Sequence, residues 1–387
     1  MQGLREPEPP YADRVNELVC LDMECGPEFV DRLSRAWDDG DAVFPLDQRL
    51  PARARNAVLS AIQPTIIATS LGDERVVGRP VENGDAVVVA TSGTTGAPKG
   101  AVLTHDAVTA SALASSARIG ATRDDEWLAC LPPSHVGGLS VITRALVTGT
   151  RLLTAPRFTP EACIDASHDG ATLVSLVATA LARIDPMLFR VIVLGGSRPP
   201  DRVPDNCVTT YGMTETGSGI VYDGVALDGV QLQIREGIIH VRGPMLMRAY
   251  RDGARPFDDA GWFRTGDIGS VDSEGRLHVE GREGDLIVTG GEKVWPESVE
   301  AALRTMADVA DCCVAGVPDD EWGHAVHAWI VTPNPGALTL DSVRRHVKDV
   351  LPAYSAPRVL HIVDTIPRTS LGKARRSELV DRTTLAP

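Results

Sequence analysis

Short apolar runs that alternate with segments of helical periodicity constrain this chain most. Residues 85–90, 127–131, 173–176 and 191–194 are four to six residues long, apolar, and followed by glycine, proline or polar turns. Apolar runs of that length between turn signals read as buried strands rather than helices. Around them, 29–37, 51–62 and 139–147 place apolar residues three and four apart, the helical spacing. Strand and helix in alternation dictate an α/β fold with mostly parallel sheets. From about residue 229 the texture changes. Residues 230–234, 238–241 and 277–280 are short and alternating, joined by glycine turns, which predicts a β-rich, partly antiparallel section. The tail reads as a small α+β unit, with helices over 296–306 and 340–350 and strands over 312–317, 327–331 and 359–363. A boundary is expected at Glu283/Gly284, giving a large domain over 1–283 and a small one over 284–387. The short, charged junction predicts domains that are hinged rather than loosely tethered.

Charge narrows the function. Lysine and arginine number 38 against 52 aspartates and glutamates, a net charge of −14. Such a surface repels phosphodiester backbones, so nucleic acid is not an expected partner. No apolar run approaches the ~18 residues of a membrane span. The first ten residues are polar and proline-rich, without the apolar core of a secretory leader, so a cytoplasmic location is expected. Seven sparse cysteines fit a reducing compartment, and Cys312-Cys313 reads as part of a buried strand. The assembly is left open, a homodimer included.

The densest chemical signal follows the 85–90 strand: Thr91-Ser92-Gly93-Thr94-Thr95-Gly96-Ala97-Pro98-Lys99-Gly100. Glycines let backbone N–H groups approach an anion closely, the hydroxyls add donors, and Lys99 adds a positive charge. It is not the common nucleotide loop in which a lysine and a hydroxyl residue open a helix, because Pro98 precedes and Gly100 follows the lysine. Four further motifs follow in order: Tyr211-Gly212-Met213-Thr214-Glu215-Thr216; Gly261-Trp262-Phe263-Arg264-Thr265-Gly266-Asp267; Gly281-Arg282-Glu283-Gly284-Asp285 with Gly290-Gly291-Glu292; and Pro367-Arg368-Thr369-Ser370-Leu371-Gly372-Lys373.

Together these motifs resemble one family, the adenylate-forming enzymes: acyl-CoA synthetases, peptide-synthetase adenylation domains and luciferases. The resemblance implies two half-reactions. A carboxylate attacks the α-phosphate of MgATP, releasing pyrophosphate, and a thiol then displaces AMP. It implies ATP, Mg²⁺ and CoA as co-substrates and cofactor, with a small carboxylic acid as partner. Residues 91–96 and Lys99 would cradle the phosphates. Tyr211 offers a flat face for adenine, with Gly212 beside it. Thr214 would donate to the α-phosphate, and Glu215 is a hard oxygen ligand for Mg²⁺. Asp267, expected at a strand end, would accept from the ribose hydroxyls, with Arg282 near the ribose or clamping the domains. Lys373 would bridge the carboxylate and α-phosphate. His135, opening a helix, would neighbour the carboxylate and gate the thiol tunnel. Glu283 and Gly284 would form the hinge, and Gly290-Gly291 the loop facing the tunnel in the second half-reaction. His324 reads as structural.

Within the superfamily, only 90 residues precede the turn, as though the first subdomain were trimmed. That trimming, with the runs 132–140 and 289–296, looks most like the compact o-succinylbenzoate–CoA ligases of menaquinone synthesis. Lys293 departs from the asparagine common there. Arg183, Arg190 and Arg198 are the cations considered for a second substrate carboxylate. Another acyl- or aryl-CoA ligase, a free-standing enzyme loading a carrier protein, and a non-catalytic nucleotide binder remain as alternatives.

Overall fold

The computed structural model describes residues 15–92, 98–196, 199–200, 202–368 and 374–384. Gly93, Thr94, Thr95, Gly96, Arg198 and Lys373 lie outside the described residues. The chain forms two compact units. The first comprises 1–231 with 242–261, and the second 232–241 with 262–387.

Among the described residues, the first unit holds two seven-stranded sheets. In one, Leu18–Leu21, Ala42–Pro45, Ile66–Thr69 and Asp85–Ser92 run parallel. The other has a parallel core of Glu126–Ala129, Arg151–Thr154, Leu173–Leu176, Val191–Leu194 and Cys207–Gly212. Antiparallel strands finish the edges. The sheets are mixed at their margins and parallel where they are deepest, as the buried apolar runs require.

Two helices, His105–Arg118 and Val136–Thr148, pack on each other. The first lies on Asp85–Ser92 and Pro98–Thr104, the second on Glu126–Ala129 and Leu173–Leu176. The first helix buries Ala107, Ser111, Ala112, Ser115 and Ser116, so small side chains bring it close to its neighbours. Arg144 lies wholly inside this layer. Its Nε donates to Ser115 Oγ at 2.8 Å, and its guanidinium sits 4.8 Å from the Trp127 ring centre. Burial lowers its pKa. Helix Pro160–His168 covers the other face of the second sheet through Cys163 and Ala166, against Leu128, Val174 and Ile192.

The second unit has a four-stranded antiparallel sheet, Gln231–Arg235, Ile238–Arg242, Phe263–Val271 and Leu277–Arg282. It also has a five-stranded sheet built around Asp311–Asp319 and Gly323–Val331. Along Asp311–Asp319 the side chains alternate. Cys312 and Val314 join one core with Val299, Leu303, Val343 and Val347, while Cys313 and Ala315 join another with Trp329, Ile366 and Leu379. All seven cysteines are buried free thiols. The expected boundary at Glu283/Gly284 falls inside this unit. The alternating strands of 231–242 and 263–282 pair with one another and group with the tail, not with the α/β body.

His327 and His361 face each other on neighbouring strands, Nδ1 to Nε2 at 3.1 Å. Burial pushes His327 down to about 4, and the nearby His361 adds to the shift. The folded ring therefore stays neutral where the unfolded one charges. Stability contributed above pH 6.5 should drain away as pH falls from 6.5 toward 4. Chemical denaturation across that window should show stability falling as the pH falls, and His327→Phe should flatten much of that slope. An unchanged slope in the variant would assign the acid sensitivity elsewhere.

Candidate active site

In parallel sheets, ligands gather beyond the carboxyl ends of the strands. Here that rule selects Asp22 after Leu18–Leu21, Asp47 after Ala42–Pro45 and Thr91-Ser92 ending Asp85–Ser92. In the second sheet it selects His135 after Glu126–Ala129, Gly195-Gly196 after Val191–Leu194, and Thr214-Glu215 after Cys207–Gly212.

The two ends of the 91–100 motif are paired strands: Thr91 with Lys99 and Ser92 with Pro98. Lys99 is thus a strand residue. Its Nζ lies 5.1 Å from the centre of the Tyr250 ring, a cation over an aromatic face. The Tyr250 hydroxyl donates to Glu215 Oε1 at 2.8 Å. Lysine, tyrosine and glutamate from three separate segments therefore form one cluster. The 247–250 segment is pinned into it at several points. Met247 N–H donates to the Glu215 carbonyl at 2.7 Å, and Arg248 N–H to the Val102 carbonyl at 2.8 Å. The Arg248 guanidinium grips the buried Asp85 carboxylate at 2.9 Å through both Nε and Nη2.

Tyr211 and Gly212 straddle a β-bulge opposite Val221 and Gly219. A Cβ at Gly212 would meet the Ser218 carbonyl oxygen at 2.2 Å, so only glycine lets the strand pass there. The next residues turn through Thr214–Thr216, where buried Thr216 ties the turn by accepting from Met213 N–H at 2.9 Å. Thr214 and Glu215 are half-buried beside it. Among the described residues, no cluster of three His, Cys, Asp or Glu side chains has metal-holding geometry. A cation at Glu215 would thus draw most of its ligands from phosphate and water, the coordination Mg²⁺ favours.

His135 opens the Val136–Thr148 helix, as expected, at its N-cap position and without a side-chain capping bond. Its Nε2 lies 3.1 Å from Arg49 Nη2 and 3.5 Å from Asp47 Oδ2. The contact joins the carboxyl ends of the two sheets. Burial would raise the Asp47 carboxyl, but the Arg49 guanidinium and N–H beside it hold it well below the ordinary carboxylate range. Asp47, Arg49 and Tyr250 carry no motif signature of their own. The one available signal for the first two was polar residues directly after the apolar 42–45 run.

In the second unit, Asp267 lies inside the Phe263–Val271 strand, not at its end, next to a bulge at 268–269. It is buried, and Arg282 Nε donates to its Oδ1 at 2.9 Å. Glu283 pairs with Arg264 at 2.7 Å. Gly284 occupies a 3-10 turn, where an added Cβ meets nothing within 4 Å. Gly290 and Gly291 form a two-residue hairpin with φ of 58° and 85°, the pair of left-handed residues that such a turn needs. A Cβ at Gly290 would also strike the Trp322 ring at 2.8 Å. His324 is exposed at the start of its strand. Either side of 369–373, Arg368 bridges to Ala374, and Arg375 N–H donates to the Pro367 carbonyl at 2.8 Å. Arg368 is paired with Asp311, Arg375 with Glu378, and Arg376 with Glu297, Glu300 and Asp285.

Of the arginines considered for a second carboxylate, Arg190 grips Asp125 at 2.6 Å and Arg183 covers the Phe158 ring at 5.3 Å. Both guanidinium groups are thus engaged within the fold.

Residues 68–251 match the AMP-binding enzyme family, and 298–373 match the AMP-binding enzyme C-terminal domain. A relative from Mycobacterium tuberculosis (strain CDC 1551 / Oshkosh), "Probable 2-succinylbenzoate–CoA ligase", is 40% identical over 369 residues, covering 86% of this chain and 94% of that protein. The 2-succinylbenzoate–CoA ligase of Bacillus anthracis (strain A0248) is 34% identical over 333 residues, covering 76% of this chain and 69% of that protein. The o-succinylbenzoate CoA synthetase of Bacillus subtilis, solved with the acyl-adenylate intermediate OSB-AMP, superposes with a TM-score of 0.84 at 27% identity, covering 95% of this chain and 89% of that one. The same Bacillus subtilis enzyme has been solved with ATP and a magnesium ion, TM-score 0.83, 26% identity, covering 95% and 90%. By these matches the chain belongs to the AMP-binding enzyme family.

Proposed function

We propose that this protein is a 2-succinylbenzoate–CoA ligase that works through an acyl-adenylate. The observation that carries the chemistry is the cluster of Lys99, Tyr250 and Glu215 at the end of the paired strands Asp85–Ser92 and Pro98–Thr104. It sets a cation and a hard carboxylate at the carboxyl ends of two sheets, where a polyphosphate with its metal needs them. The choice of acid follows the relatives, which carry that name across 94% and 69% of their lengths.

The mechanism rests on this chain's own residues. A free carboxylate is a poor electrophile because oxide would have to leave. Joining it to the α-phosphate, with pyrophosphate departing, gives it AMP as a leaving group. Lys99 and the N–H groups of residues 91–96 would hold the phosphates, with Thr214 as a hydroxyl donor. Glu215, oriented by Tyr250, would ligate Mg²⁺, whose charge screens the repulsion between two anions. Lys373 neutralises charge on the α-phosphate as it becomes five-coordinate. Tyr211 supports adenine, and Asp267 accepts from the ribose hydroxyls. The CoA thiolate then attacks the acyl carbon, and AMP leaves with the bridging oxygen. Glu283 and Gly284 act as the hinge, and the Gly290-Gly291 hairpin faces the thiol in the second step.

Asp267→Asn should raise the KM for ATP about 10- to 100-fold, the size of one hydrogen bond to a charged group. Its melting transition should move little, because asparagine still accepts from Arg282. Near-normal ATP kinetics would remove Asp267 from the ribose site. The acid is tested by competition. 2-Succinylbenzoate should outcompete unsubstituted medium-chain acids in ATP–pyrophosphate exchange, because the relatives that match this chain over most of their lengths carry that acid in their names. Preference for plain acids would favour a general acyl-CoA ligase.

A further inference from the structure

Asp47 and Arg49 follow a strand of one sheet, and His135 follows a strand of the other. Arg49 holds Asp47 as a fork: Nε to Oδ1 at 2.8 Å, Nη2 to Oδ2 at 2.9 Å, and the backbone N–H to Oδ1 at 3.0 Å. Nη2 carries two hydrogens, and its other neighbour is His135 Nε2 at 3.1 Å. A guanidinium only donates, so this contact makes Nε2 the accepting nitrogen of the ring. Asp47 Oδ2 lies farther from Nε2, at 3.5 Å, and accepts from Arg49 Nη2 at 2.9 Å. An imidazolium would set an N–H donor against the guanidinium. The arrangement therefore selects a neutral ring protonated on Nδ1.

We propose that Asp47, acting through Arg49, is a positioning residue that holds His135 as the neutral imidazole accepting at Nε2 and donating at Nδ1. Asp47 is buried while the Arg49 side chain is 43% exposed. Without the carboxylate, Arg49 would be drawn into water and the ring would lose its donor. The consequence rests on the acid-activating reading above. A charged histidine beside the acid would ion-pair with the carboxylate or protonate it and blunt its attack on phosphorus. A neutral ring orients the carboxylate and leaves it anionic and nucleophilic.

The test reads the ring directly. Nitrogen-15 NMR of the histidine rings, with His135 assigned through His135→Gln, is recorded on the full chain without ATP or acid. Wild-type His135 should show a protonated Nδ1 and an unprotonated Nε2. Asp47→Asn should give a mixture of tautomers. It should also lower the kcat of ATP–pyrophosphate exchange about 10- to 100-fold, the size of effect found for partners that orient metal-binding histidines, while the KM for ATP stays within about twofold. Asp47→Glu should restore part of the loss. If Asp47→Asn does not fold, the double variant Asp47→Asn/Arg49→Met, which leaves no unpaired charge, gives the same reading. A wild-type ring protonated on Nε2 would overturn the proposal, as would a variant whose spectrum or exchange rate stays at wild-type values. Absence of exchange with any acid in the wild type would overturn the proposed function alone, because the spectrum decides the tautomer either way.

Discussion

Lys373→Ala is expected to lower ATP–pyrophosphate exchange by about 100- to 1,000-fold, the range seen when one preorganised donor to a transition-state oxyanion is removed. The same variant should still convert synthetic acyl-adenylate and CoA to thioester at near the wild-type rate. The division follows from charge. Two anions meet only while the carboxylate is being joined to phosphorus, and the second step breaks an acyl–oxygen bond with no such encounter. The three arginines around the motif are already matched to carboxylates: Arg368 to Asp311, Arg375 to Glu378, and Arg376 to Asp285, Glu297 and Glu300. They are poorly placed to substitute for the lysine. Equal loss of both half-reactions, with circular dichroism unchanged, would sink this division of labour.

Gly284→Pro should do the reverse, keeping adenylation and lowering thioester formation by at least about tenfold. Gly284 sits in the 3-10 turn Glu283–Asp285, and open space surrounds its Cβ position. Proline fixes φ near the value such a turn uses, about −65°. It should therefore be tolerated in the conformation seen while opposing any large change of φ at the hinge. Asp285, the next residue, is held by Arg376 at 3.2 Å, so rotation has to be absorbed at 283–284 or nearby. A Gly284→Pro enzyme that runs both half-reactions normally would move the hinge elsewhere.

Much of this fold was legible because burial writes itself into short sequences. The runs at 173–176 and 191–194 are strands over those same residues, and 85–90 lies within Asp85–Ser92. Strands buried on both faces must be continuously apolar, and little else in a chain looks like that. Helix His105–Arg118 left no comparable trace. Apart from Val108, its buried face is alanine and serine, chosen for close packing rather than for hydrophobicity. The first two strands, Leu18–Leu21 and Ala42–Pro45, are only four residues each and gain their identity from the sheet they join. The small antiparallel sheet is likewise a fact of pairing: Asp267 lies opposite Arg282, which spacing along the chain cannot reveal.

The site divides in the same way. Motif residues whose chemistry depends on local backbone, such as Gly212, Gly290 and Gly291, could be found in the sequence because a turn or a close approach demands glycine there. Residues that act through distant partners could not. Tyr250 reaches Glu215 across 35 positions, and Arg49 reaches His135 across 86. Arg49 meets His135 because parallel strands deliver their carboxyl ends to one edge, whereas Tyr250 arrives on a short edge strand paired antiparallel with Pro98–Thr104.

The central claim is that a carboxylate oxygen attacks the α-phosphate of ATP and that AMP later leaves with that oxygen. It is tested most directly by supplying 2-succinylbenzoate labelled with oxygen-18 in its carboxylates, together with MgATP and CoA, and weighing the products. The account predicts one labelled oxygen in the phosphate of AMP, unlabelled pyrophosphate, and a thioester that has lost one label from the reacting carboxyl. Formation of ADP with labelled inorganic phosphate, or of AMP without the label, would contradict it.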